Sequence, residues 1–146
     1  MYSGGMLKHT DFLLLRRALL GNAVFSTLTG LTLLTVAEPL GTVFGVPPIA
    51  LRVIGLGLLP FAVGLIRSAT RERVERFEAW LAVVLDLAWV AGSALLVLGE
   101  IWPLRAAGTW AVVVVANVVL VFALLQALGL KRSARATSLA ASPEVP

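Results

Sequence analysis

The stretch AWLAVVLDLAWVAGSALLVLG, residues 79–99, decides the fold, because Asp86 is its only charged residue. A helix of about 20 residues rises roughly 30 Å, which is the thickness of the hydrocarbon core of a bilayer. Polar and apolar residues do not alternate with a period of two, so the stretch is unlike a strand of a transmembrane barrel. We therefore predict that residues 79–99 cross a membrane as a helix that carries a carboxylate.

Three more apolar runs have the length that a membrane-spanning helix requires. They cover residues 12–37, 48–66 and 103–130. The first run is longer than the apolar part of a signal peptide, and Thr35-Val36-Ala37 offers no A-x-A cleavage site. We therefore predict a retained helix that begins at Thr10 or Asp11, where a side-chain oxygen can cap the first turn.

The overall composition agrees with lipid as the solvent of this chain. Hydrophobic residues make up 59% of the sequence and charged residues 14%, and the mean hydropathy is +0.95. Soluble domains have about a quarter of their residues charged. A chain of 146 residues cannot hide so much apolar surface inside itself, because small domains leave much of their surface exposed.

The residue types that hold metals or perform catalysis are scarce. The chain has no cysteine, and its only histidine, His9, precedes the first apolar run. No Ser/His/Asp set, paired carboxylates or phosphate-binding glycine loop is present, so we predict no catalytic residue, no metal and no cofactor. The net charge of +4 comes from basic residues that flank the runs, which predicts membrane lipid and not nucleic acid as the partner.

The basic residues also predict the orientation. Ten of the twelve lie before or near the start of the first run, between the second and third, or after the fourth, and only Arg52 and Arg105 lie on the other side. Basic residues favour the cytoplasmic side, so we predict a bacterial inner-membrane protein with both termini in the cytoplasm. The connections, including residues 38–47, are short, and short connections make neighbouring helices antiparallel.

The predicted fold is therefore all-α, a four-transmembrane-helix bundle with up-down-up-down topology. Its single domain covers residues 1–132. The sequence from Lys131 onward, KRSARATSLAASPEVP, is rich in small and polar residues, and its residues 133–146 are predicted to form a disordered cytoplasmic tail.

Asp86 is the most informative side chain, because a charge inside the membrane is costly unless it is paired, hydrated or protonated. It lies about 10 Å from the cytoplasmic boundary of its helix. Asn22 and Ser26, one turn apart in the first run, have roughly the same depth. Small residues on the second run (Gly57, Pro60 and Gly64) lead to Arg67 and are predicted to form a packing face. The candidate intramembrane polar cluster comprises Asn22, Ser26, Arg67, Asp86 and Trp89.

Three roles are open for Asp86: a buried group that fixes helix packing, a proton- or substrate-coupled site, or a contact between subunits. Arg16 and Arg17 point away from the helix face that carries Asn22 and Ser26, and they are predicted to reach lipid phosphates. Asn117 and Gln126 lie on opposite faces of the fourth run, so one is predicted to point into the bundle and the other toward lipid or another subunit.

The segments RRALLGNAVFS (16–26), LRVIGLGLLPFA (51–62) and VVLDLAWVAGSALLVLG (83–99) resemble small uncharacterised four-helix membrane proteins of bacteria. In broad architecture the chain is similar to the DoxX-type four-helix proteins over residues 12–132. The resemblance implies the fold, and no functional motif of that family maps onto these residues. The small multidrug transporters match less well, because they carry a glutamate in the first helix where this chain has Asn22.

Two main functions follow. The first is a non-enzymatic membrane module, either a homo-oligomer or an accessory subunit of a membrane complex. The alternative is a transporter or binder of a small hydrophobic or cationic molecule, with Asp86 as counter-ion and Trp89 as an aromatic wall. An enzyme acting on lipid is a weaker third hypothesis, because no nucleophile–base pair is visible.

Overall fold

The computed structural model describes residues 4–72 and 74–140, with side chains for 13–72 and 74–135. The described residues form five helices: α1 (Gly4–Thr35), α2 (Ala37–Phe44), α3 (Pro48–Thr70), α4 (Arg76–Leu98) and α5 (Ala106–Ala140). Four of these, all except α2, are long and apolar enough to cross a membrane. The structure thus confirms the all-α fold and the four predicted spanning helices, and the chain is a multi-pass membrane protein.

The ends of the chain differ from the predictions. Helix α1 begins at Gly4 and not at Thr10 or Asp11. Helix α5 continues to Ala140, so residues 133–140 are helical where a disordered tail was predicted, and residues 141–146 lie outside the described residues. The added residues are small or helix-favouring, which lets the backbone hydrogen bonds of a long helix continue past the apolar run.

A short helix, α2, occupies part of the connection between α1 and α3. Gly45 ends it in the left-handed conformation (φ 75°), and the backbone N–H groups of Gly45 and Val46 both donate to the carbonyl of Gly41. Pro48 then stands at the first position of α3, where its missing N–H costs nothing. Within this connection a glycine thus ends one helix and a proline begins the next.

The helices pack in the order α3–α1–α5–α4, with antiparallel neighbours. Helix α1 lies between α3 and α5, and α4 packs on α5; α3 and α4 hardly touch, and the described backbones of α1 and α4 do not approach closely. At the α1–α3 crossing, a Cβ on Gly55 would lie 2.7 Å from the Gly30 carbonyl oxygen. Glycine at both positions is what allows this approach.

The two ends of the bundle differ in character. The basic end holds the α3–α4 connection and the C-terminal part of α5, and the α2 end holds α2 and the α4–α5 connection. Near the basic end all four long helices contribute to one apolar core. Its buried members are Leu15, Leu19, Ala23, Leu65, Ala69, Ala79, Ala82, Val83 and Leu130.

The face of α3 that packs is not the one expected from sequence. Gly57, Pro60, Gly64 and Arg67 are exposed, and a Cβ at Gly57 or Gly64 would meet no atom within 4 Å. The buried face is instead Leu51, Gly55, Ala62, Leu65, Ser68 and Ala69. The prediction was wrong because both faces contain small residues, and only the position of α1 selects between them.

Candidate functional site

Asp86 lies inside the bundle, at 3% exposure, on the face of α4 that points toward α1 and α5. Its Oδ2 accepts two hydrogen bonds, from Asn22 Nδ2 at 2.7 Å and from Gln126 Nε2 at 3.2 Å. The two donors belong to α1 and α5. One carboxylate oxygen therefore links three helices, two of which, α1 and α4, have described backbones that do not approach closely.

Ser26 extends this polar cluster by one turn of α1. Its Oγ donates to Asn22 Oδ1 at 3.3 Å, and both side chains are buried, Asn22 completely. Accepting this bond orients the Asn22 amide so that its Nδ2 faces Asp86. The structure thus brings together three of the five residues proposed from sequence, Asn22, Ser26 and Asp86.

Gln126 is the member of the cluster that the sequence left undecided. It is fully buried and bonded to Asp86, whereas Asn117 is exposed and donates to the carbonyl of Val113 in its own helix. The available signal was depth: in an antiparallel helix, Gln126 lies about as far from the basic end as Asp86 does. Its Oε1 is buried and has no donor among the described residues.

Arg67 and Trp89 lie outside the cluster. Arg67 is exposed on α3, and the two side chains that hydrogen-bond Asp86 come from α1 and α5. Trp89 is 37% exposed and makes no hydrogen bond with Asp86. Within the described part of the chain, the neighbours that bond Asp86 are therefore neutral amides and not a cation.

Arg16 has a structural role that the sequence did not indicate. Its Nη2 donates to the backbone carbonyls of Arg71 (2.5 Å) and Glu72 (2.8 Å), just after α3 ends. A guanidinium at a helix C-terminus satisfies carbonyls that lack a partner in the helix and opposes the negative end of the dipole. The prediction that Arg16 reaches lipid phosphates was wrong, whereas Arg17 is exposed.

The α2 end carries four charged residues, Glu38, Arg52, Glu100 and Arg105. Arg52 pairs with Glu38 at 2.9 Å between two exposed side chains, a contact worth little in stability. Arg105 instead donates through its side chain to the Thr42 carbonyl and through its backbone N–H to the Phe44 carbonyl. These bonds attach α2 to the start of α5.

Between the polar cluster and α2 lies a partly enclosed cavity of about 450 Å³. All five helices contribute to its wall, which is almost entirely apolar. The residues of this wall include Thr29, Phe44, Trp89, Gly92, Ser93 and Trp102. Asp86 is not part of the lining, so the carboxylate and the cavity are neighbouring but separate features.

No protein-family model matches this chain, and comparisons with curated proteins and with solved structures found no match either. In the described residues, no three His, Cys, Asp or Glu side chains are grouped closely enough to hold a metal ion.

Proposed function

We propose that this chain is a non-enzymatic membrane module that works as a homo-oligomer or as an accessory subunit of a larger membrane complex. The observation that carries the proposal is the engagement of Asp86 by Asn22 and Gln126 inside the bundle. A carboxylate bonded by two helices and almost inaccessible is arranged to hold helices together. Polar side chains are a recurrent means of joining helices in lipid, where apolar faces do not distinguish partners.

The same geometry speaks against Asp86 as the counter-ion of a transported cation. A cation would have to displace an amide from Oδ2, or enter a space to which Asp86 exposes only 3% of its surface. The cavity nearest to it is lined by apolar residues and does not include the carboxylate. The counter-ion hypothesis therefore has no open site among the described residues.

Asn117 supports the association part of the proposal. It lies within the α5 span and is exposed, and it borders a groove of about 260 Å³ between α4 and α5. Its Nδ2 is bonded to Val113, which leaves the amide oxygen free of hydrogen bonds to described residues. An amide facing hydrocarbon is unfavourable, and the same group against another helix gains a hydrogen bond.

The location we propose is a bacterial inner membrane with both termini in the cytoplasm. It is supported by the concentration of basic residues at the basic end, which favours the cytoplasmic side. The four-helix architecture supports a DoxX-like form in the broad sense of helix number and length only. Membrane lipid is the expected surrounding partner, since large apolar side chains are exposed along all four spans.

Replacement of Asp86 tests the proposal. Asp86→Asn keeps an oxygen that can accept from both amides, so we expect normal assembly and a loss of stability below about 1 kcal/mol. Asp86→Leu leaves two buried N–H donors without an acceptor, which should cost roughly 2 to 6 kcal/mol at ~1–3 kcal/mol per buried group. Unfolding of the full chain by sodium dodecyl sulfate in mixed micelles measures both.

Binding of tetraphenylphosphonium, a lipophilic cation, distinguishes the alternative. If Asp86 only holds helices together, wild type and Asp86→Asn should bind this probe equally, at the level of empty nanodiscs. Saturable binding by wild type that disappears in a correctly assembled Asp86→Asn variant would support the counter-ion role and contradict the proposal.

A further inference from the structure

The cavity between the polar cluster and α2 is large for a chain of this size. Its volume of about 450 Å³ is roughly three times the ~150 Å³ of an engineered apolar cavity that excludes water and takes up benzene. Phe44 and Trp102 lie toward the α2 end, where the Trp102 indole N–H donates to the Gly45 carbonyl at 3.2 Å. Trp89 and Ser93 lie toward the polar cluster. The space is thus bounded by large side chains at one end and by a packed polar layer at the other.

Two hydroxyl groups in this apolar wall have no intramolecular partner. Thr29 on α1 and Ser93 on α4 line the cavity and make no hydrogen bond with any described residue. The contrast within the chain is clear, because each of the other threonines with a described side chain bonds the carbonyl four residues earlier. These are Thr27, Thr32, Thr35, Thr42, Thr70 and Thr109.

The helices around the cavity leave a route from the bilayer. Helices α3 and α4 both contribute to its wall, yet they hardly touch each other along their length. The α4 side of this gap carries small residues, including Gly92, at which a Cβ would meet no atom within 4 Å. An apolar molecule dissolved in the bilayer can therefore enter sideways without crossing water.

From these observations we propose that the cavity binds one uncharged, mainly hydrocarbon molecule that carries a hydroxyl or carbonyl group. The apolar wall takes the hydrocarbon body, and Thr29 and Ser93 hydrogen-bond the polar group, as in other ligand sites with few polar contacts. The molecule enters from the membrane between α3 and α4. Asp86 has no part in this binding. The cavity can therefore bind a ligand whether or not the chain works as the proposed membrane module.

Photolabelling of the full chain in phosphatidylcholine nanodiscs tests the proposal. The probe is hexadecanol bearing a diazirine, compared with the hexadecane analogue that lacks the hydroxyl. We expect saturable labelling by the alcohol, located by peptide mass spectrometry on the cavity-lining segments of α4 and α5. Labelling spread evenly over the lipid-facing sides of all four spans would show only bulk lipid contact and would overturn the proposal.

A matched pair of glycine variants separates the cavity from the outer surface. Gly92→Leu adds a side chain to the cavity wall at a position where a Cβ would meet no atom within 4 Å, and it should lower alcohol labelling about tenfold. Gly57→Leu is the control, because Gly57 also has open space for a side chain but lies on the exposed face of α3. Equal labelling of wild type and a folded Gly92→Leu variant would contradict the site.

Two further substitutions test the hydroxyl contacts while changing the volume of the lining side chains only slightly. Thr29→Val and Ser93→Ala should each weaken labelling by the alcohol about threefold, the effect of one average hydrogen bond in a membrane, and leave the hexadecane analogue unchanged. Thr32→Val is the control, since Thr32 is exposed and already bonded to Leu28. Equal loss with both probes would refute recognition of the polar group.

The source of the natural occupant is addressed by organic extraction of purified protein. A long-chain alcohol or diacylglycerol recovered in equimolar amount from wild type and absent from Gly92→Leu would identify a membrane lipid. Recovery of phospholipid alone, in equal amounts from both variants, would count against a selective site. A cross-link from the cavity to a second copy of the chain would also overturn the proposal, because it would show a protein segment as the occupant.

Discussion

At the residue scale, the intramembrane carboxylate of Asp86 is hydrogen-bonded by neutral side chains and not paired with a cation among the described residues. Breaking a buried polar contact by removing one partner is costly, because the other group stays buried and unsatisfied. Here Asn22 and Gln126 share one oxygen of Asp86, and Ser26 orients Asn22. The cluster thereby selects one rotational setting of α4 against α1 and α5, which exposed apolar side chains could not do.

Asn117 presents the opposite case, a polar residue facing the membrane. We expect Asn117→Leu to weaken self-association of the chain in detergent or nanodiscs by about threefold to eighteenfold, since hydrogen bonds between helices in lipid are worth ~0.6 to 1.7 kcal/mol. Cross-linking yield or single-molecule photobleaching measures this. Val121→Leu, at another exposed position of α5, is the matched control. An unchanged oligomer distribution would remove Asn117 from the interface and favour the role of accessory subunit.

At the element scale, close helix contacts depend on a few glycines in particular places. Gly55 of α3 meets Gly30 of α1, and Gly108 at the start of α5 lies directly against the Phe44 carbonyl that ends α2. A side chain at either position would separate two elements. Helix α2 is held by such contacts and by Arg105 and Trp102, which explains how so short a helix keeps a defined position.

The α1–α3 crossing gives a prediction with an internal control. Gly55→Val should destabilise the bundle by about 1 to 3 kcal/mol, because a side chain there overlaps the Gly30 carbonyl and forces the helices apart. Gly57→Val, two residues further along the same helix, faces open space and should change stability by less than about 0.5 kcal/mol. Detergent-induced unfolding of both variants decides the matter. Equal changes in stability for the two variants would mean that α1 and α3 can move apart at this crossing without cost, and would contradict the prediction.

At the scale of the whole molecule, three regions follow one another along the helices. An apolar core lies nearest the basic end, the Asp86 cluster follows, and the cavity extends from there to α2. The apolar core and the Asp86 cluster, which hold the helices of one chain together, thus lie toward the basic end, and the open space lies toward α2.

The orientation of the whole molecule is directly testable, because the chain has no cysteine. Glu100→Cys introduces a single cysteine, which we expect to react with a membrane-impermeant maleimide in intact cells. Arg135→Cys should react only after the membrane is permeabilised. Both positions are exposed and lie at opposite ends of the bundle. The reverse pattern would place the termini outside and contradict the positive-inside argument.

Sequence by itself determined the number of spans and the depth of the polar residues, since both follow from hydrophobic length and from a rise of 1.5 Å per residue. That is why Asn22, Ser26 and Asp86 could be grouped in advance. Only the tertiary structure decided which helix lies next to which. That arrangement also decided that Gln126 belongs to the polar cluster around Asp86, that Arg67 does not, and which face of α3 is buried. The physical reason is that lipid is as apolar as leucine, so hydrophobicity does not tell an inward face from an outward one. The cavity likewise belongs to tertiary structure, because it is the space left where α3 and α4 do not meet.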